Sequence, residues 1–181
     1  MPIVDSDILF KYAVTSGTAG NQNPQTSPNA SLGKYISTTV WPGNGTLHDL
    51  FGPITGLQNI DSAVDYRCLF IHNNNGTLTL SNILLWISGL TVGGATIQIG
   101  ADTTPASGIN TSTPQALQVV DINTAPTGVS FSAPITEATG ISLGNLLPGQ
   151  CIAFWIKRSA GNTPALNNDT LTLSYSGDSP Q

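Results

Sequence analysis

The sequence predicts an all-β protein: a single antiparallel β-sandwich or jelly-roll domain with an extended N-terminal arm. Short segments alternate apolar and polar residues, turn-forming residues separate nearly all of them, and no amphipathic helix pattern lies between them. The chain has 181 residues, a length that suits one domain. Only 8% of the residues are charged and 39% are apolar, so the composition does not match charge-driven disorder.

Residues 1–60 differ from the rest, and we assign them to an N-terminal arm and short strands packed on the body or on neighbours. Two short strands are predicted, at 8–14 and 35–41. Residues 17–29 between them contain two prolines and no hydrophobic residue larger than alanine. Such a composition is typical of a flexible loop or arm.

Residues 61–181 are assigned to the β-sandwich itself. Residues 64–72 alternate in polarity, and the Asn-rich segment ending at Gly76 predicts a tight turn after them. Further strands are predicted at 77–80, 82–88, 95–99, 118–122, 129–131, 150–158 and 170–175. The polar stretch 102–114 is the one long internal loop in this pattern.

Three predicted strands are apolar on both faces, whereas a sandwich strand normally has one polar face. They contain residues 69–71, 83–87 and 151–156. Something must therefore cover the second face of each. Either the long loops and the N-terminal segment fold over it, or it forms a subunit interface. The scarcity of charge adds some support to the second alternative.

Charge and hydropathy bear on the partners. The net charge is −5 with only five Lys and Arg residues, and only Lys157 and Arg158 are adjacent, which argues against nucleic acid as a partner. No apolar run approaches the ~18 residues that span a bilayer, so no membrane partner is expected. Residues 1–7 lack the basic and apolar regions of a secretory signal. We therefore expect synthesis in a cytoplasm.

Cys68 and Cys151 are too few to form a disulfide framework in a chain of this length. Each lies in an apolar segment, where a free cysteine behaves as a small buried hydrophobic residue. A bridge between them would require their strands to face each other. The apolar surroundings favour two buried thiols.

The residue pattern predicts no enzyme, no metal site and no cofactor. His48 and His72 have no Cys or His neighbours at zinc-ligand spacing, and His72 is expected at a solvated strand end. Residues 140–144 match the G-x-S-x-G motif around Ser142. That motif needs a helix after the serine, and Pro148 excludes one, so we interpret the match as chance.

A carbohydrate-binding module is a hypothesis of another class. Such a module requires an exposed aromatic side chain on which a sugar ring stacks. Trp86 and Trp155 lie in apolar strands, whereas Trp41 precedes Pro42 in a loop-like context. If a glycan is bound, Trp41 is therefore the expected platform.

Several segments together resemble a group of small virion structural proteins of tailed bacteriophages. They include IVDSDI at 3–8, DYRC at 65–68 and AFWIKR at 153–158. The other segments are 28–33, 36–39, 76–80, 123–129, 131–134, 146–149, 167–170 and 177–178. Their order along the chain, rather than any single segment, carries the resemblance.

The resemblance implies a non-enzymatic head decoration or cement protein, part of the virion and located on the outer capsid surface. It implies binding to the major capsid protein and self-association, most plausibly as a homotrimer. A tail, neck or head-fibre protein with the same fold is the structural alternative.

Large apolar side chains of the arm and of the two-faced strands are the predicted interface residues. They are Ile3, Ile8, Phe10, Tyr12, Tyr35, Trp41, Phe51, Leu84, Trp86 and Trp155.

Overall fold

The structure of the chain is a computed structural model, and it describes residues 2–17, 21–43, 45–91, 93–164 and 169–180. Nine strands, one short α-helix and three single-turn 3-10 helices are found in this part of the chain. The strands and the α-helix are β1 Ile8–Val14, β2 Tyr35–Val40, α1 Gly56–Ile60, β3 Val64–Asn73, β4 Leu80–Thr91, β5 Thr96–Ala101, β6 Ser107–Gly108, β7 Ile141–Leu146, β8 Gln150–Ser159 and β9 Thr170–Asp178.

The strands form two antiparallel sheets that curl into a half-barrel. The larger sheet has the order β2-β1-β3-β8-β5, and β6 also pairs with β8. The smaller sheet has the order β7-β4-β9. The prediction of an all-β sandwich is confirmed.

The N-terminal strands belong to the larger sheet of their own chain. Each residue from Ile8 to Tyr12 in β1 pairs with β3, and the other edge of β1 pairs with β2. Residues 1–60 were assigned to an arm and short strands packed on the body or on neighbours. In the structure, residues 8–14 and 35–40 pack on the body of their own chain. Residues 18–20 of the predicted flexible segment lie outside the described residues.

The main core lies between the two sheets. Alternate residues of β3 and β8, including Leu69, Ile71 and Phe154, face Ile83 and Leu85 of β4 across this space. Each of these five side chains is fully buried, as the two-residue period of a strand requires when one face is the core face.

A second apolar cluster covers the opposite face of the larger sheet. Cys68, Phe70 and Trp155 are buried there beneath Ala116 and Val119. Loop backbone also bonds to β3, since Cys68 N–H donates to the Ser31 carbonyl at 2.9 Å. For β3 and β8, therefore, the loops and the N-terminal segment cover the second apolar face.

Several local predictions were wrong. Residues 118–122 and 129–131 were predicted as strands, but they cover the larger sheet and contribute only isolated bridges at Gln118 and nearby Ser132. Residues 77–79 precede β4 instead of forming a strand. The prediction missed β6, β7 and α1, whose first turn is capped by Thr55. No helix in the described ranges is long and apolar enough to cross a membrane.

Candidate functional site

Two large apolar side chains are partly exposed on the outer face of the smaller sheet. Leu84 and Trp86 point outward from β4, because their neighbours Ile83, Leu85 and Ile87 point into the core. Leu84 and Trp86 are half-buried and belong to neither apolar cluster. We call this pair the outer strip.

Small hydroxyl side chains surround the outer strip. Leu84 lies between Ser142 of β7 and Ser176 of β9, and Trp86 lies beside Ser174. The Ser174 hydroxyl is 2.7 Å from that of Ser88 on the same face. The strand neighbours of Leu84 and Trp86 are therefore small and uncharged, which favours contact between the two apolar side chains and a partner surface.

Four of the predicted interface residues are buried within their own chain. Trp155 is fully buried, while Ile8, Tyr12 and Tyr35 expose between 5% and 7% of their surface. The Trp155 indole N–H donates to the Asp102 carboxylate at 2.6 Å, which satisfies its polar end inside the protein. The polarity pattern of a strand is the same whether a loop of its own chain or a partner protein covers its apolar face.

Other predicted residues form an aromatic group at the open side of the half-barrel. The Phe10 ring lies 6.3 Å from that of Trp41 and 5.9 Å from that of Tyr175. The Tyr175 hydroxyl donates to Asp5 at 2.8 Å. Burial, together with this hydrogen bond to Asp5, raises the pKa of Tyr175. Ile3, Phe10 and Trp41 are half-buried here and remain predicted interface residues.

A cleft of about 720 Å³ lies beside Trp41. Leu50 and Ile97 are buried in its wall, while His48, Asp49 and Asp169 supply polar groups. Burial raises the pKa of the Asp49 carboxyl. Pockets of this size and mixed character commonly hold small ligands. We call it the Trp41 cleft.

Two arginines hold the loop that forms one wall of this cleft. The Phe51 ring lies between the guanidinium groups of Arg67 at 5.0 Å and Arg158 at 4.6 Å. Arg67 also donates to the Leu50 carbonyl at 3.2 Å, and Arg158 donates to the Gly52 carbonyl at 2.8 Å. Asp65 pairs with Arg158 at 2.5 Å. Phe51 therefore anchors the loop, although its half-exposed ring stays a predicted interface residue.

The sequence analysis did not recognise Arg67 as a buried residue that helps to form the cleft wall. Arg67 is 1% exposed, and its burial lowers its pKa to about 10. It lies between Tyr66 and Cys68 in a mainly apolar strand, so its position could have been recognised as a buried cation that needs several acceptors. It donates to the carbonyl of the adjacent Tyr66, but its other partners, the Leu50 carbonyl and Asn29, come from distant segments and leave no local pattern.

The two thiols and the G-x-S-x-G match offer no reactive group. Cys68 and Cys151 are both buried and unbridged, as expected, and burial raises the pKa of each thiol, to about 12 for Cys151. Ser142 lies within β7, not at a turn from a strand into a helix. Among the described residues, no three His, Cys, Asp or Glu side chains are grouped to hold a metal ion.

His72 is not at a solvated strand end, and that prediction was wrong. It is 1% exposed on the covered face of β3, and neither of its ring nitrogens has a hydrogen-bond partner. Burial, with a smaller contribution from the charge of Lys11, lowers its pKa to about 4. The covering loops, which local sequence did not reveal, remove this histidine from water.

Comparison with known proteins identifies no relative. No family model matches the chain, and no match was found among curated proteins or solved structures. The function therefore has to be argued from the residues and surfaces described above.

Proposed function

We propose that the chain is a non-enzymatic structural protein of a tailed-bacteriophage particle. Specifically, we propose a head decoration or cement protein that binds the major capsid protein on the outer capsid surface. The outer strip carries this proposal, because a partly exposed tryptophan and leucine with uncharged strand neighbours are typical of an association surface. The segments that resemble virion proteins supply the kind of partner.

The charge distribution supports an outer position on the particle. Six acidic side chains are exposed, but none of the five Lys and Arg side chains is. An anionic surface is repelled by packaged DNA and suits the outside of a capsid. Contacts through hydroxyl and apolar groups are also less sensitive to salt than ion pairs are.

Copy number is the first test. Quantitative mass spectrometry of purified particles measures this chain relative to the major capsid protein. A ratio of the same order supports a cement protein on the head lattice. A few copies per particle would instead favour the tail, neck or head-fibre alternative, and absence from particles would refute both.

Substitutions in the outer strip test whether Leu84 and Trp86 belong to the capsid-binding surface. The double variant Leu84→Ser, Trp86→Ser should lose capsid binding by about tenfold or more, because central apolar residues dominate interface energies. Val120→Ser is the matched control, since Val120 is 84% exposed and lies elsewhere. Light scattering of the free proteins tests the proposed homotrimer. Undiminished capsid binding by the double variant would remove the outer strip from the interface.

A carbohydrate-binding module is the second candidate, and the Trp41 cleft favours it. This cleft combines one tryptophan with carboxylates and a histidine, the mixture that sugar sites use for stacking and hydrogen bonding. A glycan array with the wild type, Trp41→Ala and the control Trp86→Ala tests it. Binding that only Trp41→Ala abolishes would support this candidate, and no binding by the wild type would reject it.

A further inference from the structure

One edge of the smaller sheet is open to another strand. β9 is the end strand of that sheet, and within the described ranges it pairs only with β4. Ile87 of β4 donates its N–H to Pro134, away from β9, at 2.8 Å. In an antiparallel pair, its partner Leu173 therefore directs its own N–H and C=O outward, to the free edge.

This edge lacks the usual protection against strand addition. Sheet edges are commonly blocked by lysine, proline or a bulge that twists the strand away. β9 has nine residues with no lysine and no proline. Its Thr and Ser side chains alternate with Leu171, Leu173 and Tyr175, which face the core side. The pair of β4 and β9 has two register shifts, and both place the extra residue in β4, so the backbone of β9 itself continues without an inserted residue.

A groove lined mainly by apolar residue types runs beside the free edge. Its volume is about 290 Å³, and it separates Leu171 and Leu173 of β9 from Ile8 and Phe10 of β1, with Trp41 in its wall. A strand added to β9 would place every second side chain over this groove. Two or three small apolar side chains on the core-facing side of an added strand suit this space.

The charges around β9 indicate the occupant. Asp169 and Asp178 are exposed at the two ends of the strand. Among the described residues that line the groove there is no Lys or Arg. A second copy of β9 in antiparallel register would bring its Asp178 beside Asp169 of the first, which places like charges together. Pairing between copies is therefore disfavoured.

We propose that the free edge of β9 and its groove bind an extended segment of another polypeptide, alternating small apolar and polar residues, with basic residues at both ends. Main-chain hydrogen bonds to β9 supply affinity, the groove selects the apolar side chains, and the two aspartates select the charge. This inference goes beyond the proposed function and holds whether or not the chain is part of a particle.

A designed peptide tests the proposal directly. The probe has a Val-Thr-Val-Ser-Val-Thr-Val core with two lysines at each end. One control has the same core with glutamates at the ends, and another carries N-methyl groups on alternate residues of the core. We expect the glutamate peptide to bind at least about tenfold more weakly at low salt, and the methylated peptide not to bind.

Hydrogen exchange and charge variants locate the binding. Peptide binding should protect the amides of Leu171, Leu173 and Tyr175. The Asp169→Asn, Asp178→Asn variant should bind the lysine peptide several-fold more weakly, whereas Glu137→Gln, an exposed acid on a different segment, should not.

The proposal is overturned if the lysine peptide binds no better than the methylated one, or if protection appears elsewhere. It is also overturned if concentrated protein without peptide dimerises and protects the same three amides, because the occupant would then be a second copy.

Discussion

At the scale of single residues, the polar side chains buried under the covering loops are the most informative. Lys11 exposes 6% of its surface and donates to Asn21 at 2.9 Å, while buried Gln115 donates to the Gly108 carbonyl at 2.7 Å. His72 has no such partner. Each of these polar groups is compatible with burial only while it keeps its partner or stays uncharged.

Acidification should destabilise the fold through His72. Its folded pKa of about 4 lies below the ordinary 6.5, so between these values the unfolded chain binds more protons and stability falls as pH falls. This pKa shift corresponds to a loss of about 3 kcal/mol in the free energy of unfolding once the pH is below both values. Urea unfolding at several pH values should show a smaller loss for His72→Leu. His48→Asn, at an exposed histidine, is the control. Equal slopes for wild type and His72→Leu would contradict the prediction.

Gly33→Ala should be strongly destabilising. A Cβ at Gly33, whose φ is +88°, would lie 1.8 Å from the Leu117 carbonyl oxygen, so the covering segment would have to move. We expect a cost of about 2 kcal/mol beyond the backbone strain itself. Gly149→Ala is the control, because Gly149 has a φ of +72° but open space around it. Thermal unfolding of both variants measures the difference, and similar losses would show that the contact is unimportant.

At the scale of elements, β1 decides how the N-terminal region behaves. It lies between β2 and β3, and Ala13 is fully buried within the second apolar cluster. The residues before it, 2–7, form no strand and bond to the body at separate points, such as Ile3 N–H to the Ser179 hydroxyl at 3.1 Å and Asn74 N–H to the Asp7 carbonyl at 2.7 Å. These two parts of the N-terminal region therefore differ in their importance for folding.

Truncation separates the two parts. Removal of residues 2–7 should leave cooperative unfolding intact, since no strand is lost. Removal of residues 2–14 should abolish the fold, because it deletes an internal strand of the larger sheet and uncovers β3. Near-ultraviolet circular dichroism and thermal unfolding test both variants. A cooperatively folded product lacking residues 2–14 would show that β1 is a removable arm.

At the scale of the whole molecule, four of the five Lys and Arg side chains bind groups within the protein. Arg67 and Arg158 hold the loop at Phe51, Lys11 binds Asn21, and Lys157 donates to Gln98 at 3.2 Å. The exposed acids are Asp5, Asp61, Asp121, Glu137, Asp169 and Asp178. The surface consequently carries negative charge without neighbouring cations to balance it.

Moderate salt should therefore stabilise the protein. Exposed charges of one sign repel one another in the compact state, and salt screens that repulsion over about 10 Å at 0.1 M. We expect the melting temperature to rise by about 1–3 °C between 10 and 150 mM sodium chloride. The salt-induced rise in melting temperature should be smaller for Glu137→Lys than for the wild type. For Glu137→Gln the reduction should be less. A melting temperature that falls with salt would indicate that ion pairs such as Asp65–Arg158 dominate instead.

The sequence by itself determined the all-β class and most strand positions, because the two-residue period and the turn residues are local properties. The bounds of the strands predicted at 8–14 and 150–158 agree with β1 and β8 to within one residue. The burial of both cysteines was also predicted. β7 was missed because its alternation is short and interrupted by Gly144, whose φ is positive.

Only the tertiary structure decided which apolar faces are covered. Trp155 and Trp86 both lie in strands that are apolar on both faces, yet loops 116–119 cover the first and leave the second half-exposed. It likewise decided that Arg67 anchors the Phe51 loop and that β9 has a free edge. These outcomes depend on which distant segments meet, and the periodicity of a strand records only that a face is apolar, not what packs against it.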